Sequence, residues 1–166
     1  MLIDPSNSHC QFIIGDSEPF FIRLYSLTVL LKSPHQELED LIKKIKTRLI
    51  LSPEAEEFLY SISKEKTLRK GEVLIRQGQV VKNTFFVSAG CLRSYCTDKN
   101  GKENTLLFAI KDWWISDYIA IHTDELATLT VECLTESKVI EFNAKELDGI
   151  HSLFPEFEPY QRHHLE

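Results

Sequence analysis

The stretch from Leu68 to Phe108, LRKGEVLIRQGQVVKNTFFVSAGCLRSYCTDKNGKENTLLF, constrains the fold more than any other part of the chain. Gly71, Gly78 and Gly90 each close a short apolar segment, and Asn100-Gly101 follows between two β-rich arms. Glycine at such points supplies positive φ, and Asn-Gly between β-rich arms is the strongest short-range hairpin signal. Along the first arm Leu92, Ser94 and Cys96 share one face and Cys91, Arg93, Tyr95 and Thr97 the other, one packed and one partly wet. Short strands punctuated by turns predict a sheet that hides its edges by rolling on itself. The expected fold class is therefore mainly β with flanking α-helices, a double-stranded, jelly-roll-like β-roll.

Helix signals flank this stretch. Ser33 can cap, Pro34 suits the first helical position and Gln36 completes a capping box; Leu38, Leu41, Ile42, Ile45 and Leu49 then follow at helical spacing. The opposite face carries Lys43, Lys44, Lys46 and Arg48, which read as a solvated face given Glu37, Glu39 and Asp40 nearby. Ser52-Pro53 repeats the signal, with Ala55, Phe58, Leu59 and Ile62 as the buried stripe. After the roll, Asn143 to Glu146 form another capping box, and Leu147, Ile150 and Leu153 predict a third helix stopped near Pro155.

Charge and cysteine usage exclude several functions. A formal charge of −6 argues against a chain that itself grips phosphate backbones, because that affinity comes from clustered Lys and Arg. Cys10, Cys91, Cys96 and Cys133 have no CxxC spacing and read as reduced thiols. The apolar run from Phe20 to Leu31 is interrupted by Arg23 and is too short to span a bilayer, so the cytoplasm is the expected location, without membrane contact. A cupin-type enzyme would need a close His-x-His pair, whereas the six histidines are scattered or terminal. No nucleophile elbow, Walker loop or HExxH motif occurs, so no enzyme, cofactor or metal is expected.

The order Leu68-x-x-Gly71-x-x-Leu74-x-x-x-Gly78, then Phe85-Phe86-Val87-x-x-Gly90-x-Leu92-Arg93, then Asp98-x-x-Gly101-Lys102-Glu103, resembles the cyclic-nucleotide-binding domain of the Crp/Fnr transcription regulators. Asp112 to Asp117 (DWWISD) further resembles a branch of that family with an altered ligand site. The resemblance implies the cyclic-nucleotide-binding fold over residues 33–157, an unassigned extension over 1–32 and a tail over 158–166. Such regulators continue into a dimerisation helix and a helix-turn-helix. Only eleven residues follow Pro155, so the sensory half alone is expected, with DNA reached through a domain absent from this chain and with homodimerisation possible.

In ligand-binding relatives a short cassette forms the pocket: a Gly-Glu pair takes a ribose hydroxyl and an Arg-Ser or Arg-Thr pair neutralises the cyclic phosphate. A buried phosphate without that cation stays better solvated in water. Matching Val131 to Leu134 with the strand after the cassette puts Ala127 at the arginine and Thr128 at the hydroxyl, and Ser116-Asp117 at or near the Gly-Glu pair. From Asp112 to Ser137 there are six acids and no Lys or Arg, with His122 as the one candidate cation. Ordinary cyclic AMP binding is thus disfavoured. Of Trp113 and Trp114 at most one can line a pocket by strand parity; Trp114 joins Ser116, Asp117, Ala127 and Thr128 as a candidate ligand-binding residue.

These readings make the chain the effector-sensing domain of a Crp/Fnr-like transcription regulator, with an unknown small-molecule effector or none. The alternatives are a ligand-free dimerisation or interaction module and a cyclic AMP binder with an unconventional site.

Overall fold

The computed structural model describes residues 35–157. The extension over 1–32, the Ser33-Pro34 helix start and the tail over 158–166 lie outside the described residues. Two helices, α1 (Gln36–Lys46) and α2 (Pro53–Ile62), precede β1 (Ser63–Leu68), β2 (Val73–Ile75), β3 (Asn83–Ala89), β4 (Cys91–Thr97), β5 (Glu103–Ile110) and β6 (Trp114–Ile115). A short helix α3 (Tyr118–Thr123) leads to β7 (Thr130–Cys133) and β8 (Ser137–Asn143), and α4 (Ala144–Asp148), α5 (Ile150–Leu153) and a 3-10 turn over Pro155–Phe157 follow.

The strands form two antiparallel sheets, ordered β1-β8-β3-β6 and β2-β7-β4-β5. Strand parity sorts the apolar residues into two cores. On β3, Phe85 and Val87 point into the roll with Leu92, Ile115, Val131 and Val139. Phe86 between them points out, joining Ile140 and Phe142 beneath Leu38, Leu41 and Ala55 of the helices. Leu38 and Leu92 are fully buried, each worth roughly 2 kcal/mol. This is the β-roll with flanking helices that the glycine and turn pattern predicts.

Local chemistry accounts for most boundaries. Ser52 accepts a hydrogen bond from the Ala55 N–H with Pro53 at the first helical position, and Asn143 accepts one from the Glu146 N–H. The β4–β5 connection is a five-residue loop rather than a two-residue turn: Gly101 alone carries positive φ, and the Asp98 carboxylate accepts from the N–H groups of Asn100 (2.8 Å) and Lys102 (2.9 Å). At Gly90, φ is +92° and a side chain would meet the Glu136 carbonyl and Ser137.

Two helix expectations change, and the basic face of α1 is exposed as expected. α1 ends at Lys46 rather than reaching Leu49, with the Thr47 hydroxyl on the Lys44 carbonyl at 2.7 Å. Its basic face is partly paired with acids of the same chain, Lys43 with Asp40, Lys44 with Asp112 and Lys46 with Glu56. The third helix breaks at Gly149 into α4 and α5, leaving Leu153 exposed while Phe157 takes the buried place. The polar strand β1 carries no alternating apolar signal because its two faces do polar work: Glu65 accepts from the Leu38 N–H at 2.7 Å on the helix side, and Lys66 pairs with Glu141 at 2.6 Å.

Candidate functional site

The candidate site is built where β6 ends and α3 begins. Ile115 anchors in the roll core, and strand pairing with Phe85 and Phe86 places the next two residues. The Ser116 hydroxyl donates to the Asn83 carbonyl at 2.9 Å, which ties this corner to β3. Asp117, only 2% exposed, caps α3 by accepting from the Ala120 N–H at 3.1 Å through Oδ1. Its Oδ2 accepts from the Thr128 N–H (2.7 Å), the Thr128 hydroxyl (2.9 Å) and the Leu129 N–H (3.3 Å). Burial pushes the Asp117 carboxyl up, but the hydrogen bonds from Ala120, Thr128 and Leu129 outweigh it and hold the group below the ordinary carboxylate value.

Ala127 occupies the position matched to the arginine. It is 4% exposed and belongs to the apolar core of the roll. Its backbone is clamped to the β2–β3 connection, since its N–H donates to the Gln79 carbonyl (2.8 Å) and its carbonyl accepts from Gly78 (2.7 Å). Ser116, Asp117, Ala127 and Thr128 are thus brought together. Trp114 is not among them: its ring lies 5.2 Å from that of Phe86 and 5.5 Å from that of Phe142, in the core under the helices. Trp113 is largely exposed.

Among the described residues no cation pairs with Asp117. The acids of this region are met instead from elsewhere: Lys44 reaches Asp112 (2.8 Å), Lys145 reaches Asp124 (2.8 Å), and Arg93 bridges Glu132 (2.7 Å) and Glu103 (2.6 Å). His122 is exposed in the last turn of α3. No three His, Cys, Asp or Glu side chains among the described residues could together hold a metal ion. No helix among them is long and apolar enough to cross a membrane.

Sequence reasoning missed the clamp on Ala127 and a second concavity. On the flank where β1 and β2 form the free edges of their sheets, the roll stays open as a cleft of about 540 Å³. Leu68, Ile75 and Phe85 are among its lining residues, with Arg76, Lys82 and Glu141. Its visible trace in the sequence is the pair of basic residues, Arg76 and Lys82, at the two ends of the segment RQGQVVK.

Residues 65–152 match the cyclic nucleotide-binding domain. The chain is 26% identical over 95 residues to the transcriptional activator protein FnrA of Stutzerimonas stutzeri, an overlap of 57% of this chain and 38% of that protein. Among solved structures, the Thermus thermophilus catabolite activator protein superposes with a TM-score of 0.57 at 15% identity, covering 69% of this chain and 54% of that one. The sensor domain of the regulator DNR from Pseudomonas aeruginosa gives 0.56 at 17% identity, with coverages of 80% and 79%. The N-terminal domain of a transcriptional regulator from Streptomyces coelicolor A3(2) gives 0.52 at 25% identity, with coverages of 64% and 75%. The chain therefore spans well under two thirds of FnrA and of the catabolite activator protein, and the first two structural likenesses are likenesses of fold. With the glycine framework and the two-sheet roll in agreement with that match, the chain belongs to the cyclic nucleotide-binding domain family, in the form resembling Crp/Fnr regulators.

Proposed function

We propose that these residues form the effector-sensing domain of a transcription regulator, with a cassette that does not bind cyclic AMP in the ordinary way. One observation carries this reading. The donors at Thr128 and Leu129, which an incoming phosphate would need, are already taken by the buried carboxylate of Asp117. A phosphate placed there would face that carboxylate without a compensating arginine, since Ala127 stands in its place. Losing a buried partner of a charged ligand costs about 2 to 5 kcal/mol, or between one and four decades of affinity.

The domain would then act through its packing. Tyr118 on α3 shares a hydrogen bond of 3.0 Å with Thr84 on β3, and Trp114 beside the cassette packs against Phe86 and Phe142 in the helix core. A shift at the cassette would be passed to the helices and, in a complete regulator, to a DNA-binding domain. The test is thermal unfolding with and without cyclic AMP, with no change expected.

A second reading, an interaction or dimerisation module, is favoured by β5. This edge strand exposes Leu106, Phe108 and Ile110, each more than half accessible. Sedimentation of the chain and of Phe108→Lys tests self-association through this strand: a monomer at high concentration removes the dimerisation form of the second reading.

A further inference from the structure

Resting on the reading that the cassette is filled by Asp117, we propose that the cleft between β1 and β2 is the effector site, and that it takes an amphiphilic anion: a carboxylate carrying an apolar body. Its volume, about 540 Å³, lies in the range of small-molecule sites. The chemistry of the lining is two-sided. Leu68, Ile75 and Phe85 are buried apolar residues of the roll core, whereas Arg76 and Lys82 are exposed at the rim.

The charges do not cancel. Lys66 and Glu141 also line the cleft, but they pair with each other at 2.6 Å, and Asn83 donates to Glu141 as well. Glu72, the other lining acid, accepts from the Arg69 N–H at 3.0 Å and keeps its charge, so the lining is left with an excess of positive charge. Arg76 and Lys82 make no ion pair among the described residues, so the rim offers two available cations in a chain whose formal charge is −6. Unpaired cations beside a lining that also carries the half-buried Val73, Leu74 and Val81 suit a ligand with a charged head and an apolar tail, because the head gains a charge-assisted hydrogen bond while the tail leaves water.

The cleft is also wired to the cassette. The segment that carries Arg76 and Lys82 is hydrogen-bonded to the residues flanking Thr128: Gly78 donates to the Ala127 carbonyl, Ala127 donates to the Gln79 carbonyl, and Val80 bridges to Leu126. Asn83, at the end of the same segment, accepts from Ser116 next to Asp117. Drawing Arg76 and Lys82 onto one head group therefore moves backbone on which both ends of the cassette lean. An effector held in this cleft would reach α3 without touching Thr128.

The experiment is a titration of the full chain with decanoate, followed by amide chemical shifts, with decanol as the uncharged counterpart and cyclic AMP in a parallel titration. Decanoate should shift the amides of Arg76 to Asn83 and, through the hydrogen bonds, that of Ala127; decanol should bind about tenfold more weakly. The double variant Arg76→Glu/Lys82→Glu should lose about tenfold in decanoate affinity, whereas Lys99→Glu in the β4–β5 loop should not. No shifts at residues 76–83, equal binding of decanol, or an unaffected double variant overturns the proposal. A shift of the Thr128 amide by cyclic AMP overturns the cassette reading instead, and leaves the cleft to be judged on decanoate alone.

Discussion

The carboxylate of Asp117 lies 2.7 Å from the backbone N–H of Thr128, eleven residues further along the chain, and this contact closes the cassette on itself. Removing the charge while keeping the shape, Asp117→Asn, replaces a charge-assisted acceptor by an amide that must turn one N–H toward other donors. The expected loss is about 2 to 3 kcal/mol in urea unfolding. A loss below about 0.5 kcal/mol would mean that the contact contributes little.

The same contact sets a pH dependence. The folded value of the Asp117 carboxyl lies below its ordinary value of 3.8, so the contribution it makes is fully present above that value and is lost as pH falls through the lowered one. Stability measured downward from neutrality should therefore fall in the acid range, and fall less in Asp117→Asn than in the wild type. Parallel curves for the two proteins would contradict the assignment.

Asp117→Ala should do what the conservative change does not. It leaves the Thr128 N–H, the Thr128 hydroxyl and the Leu129 N–H without their acceptor. Unsatisfied donors of this kind favour an external anion, so sulfate should raise the unfolding midpoint of this variant more than that of the wild type at equal ionic strength. An equal rise in both proteins would show that the freed donors do not form an anion site.

How much of this is legible in the sequence varies with the physics behind each element. The glycines are readable because φ of +92° at Gly90, with the Glu136 carbonyl close behind it, excludes any side chain, and the caps at Ser52 and Asn143 because they satisfy their own helix locally. β1 is not, since Glu65 serves a helix and Lys66 an acid on the neighbouring strand, and neither partner is near in sequence. Matching to the family cassette singles out Ser116, Asp117, Ala127 and Thr128, which lie together in the structure, yet Asp117 faces inward to its own chain where the match suggests a residue open to ligand. An acid aligned with a ligand-binding carboxylate gives no sign in sequence that backbone N–H groups eleven and twelve residues away will claim it. For Trp114, parity limits the choice to one tryptophan of two but does not say which face is the roll.

Trp114→Ala should cost about 3 kcal/mol through the space it leaves between Phe86 and Phe142. It should leave the Thr128 amide shift in place, because the ring faces the helices and not the cassette. A large shift at Thr128 with little loss of stability would reassign the tryptophan to the site.

The most direct test of the central claim is the thermal unfolding midpoint of the wild-type chain with and without cyclic AMP. At a concentration about 100 times a dissociation constant, an ordinary binder gains about 2.7 kcal/mol and a midpoint several degrees higher. A self-filled cassette predicts no change. A clear rise would contradict it, and would show that cyclic AMP displaces Asp117 from Thr128 and recruits a cation from elsewhere in the chain.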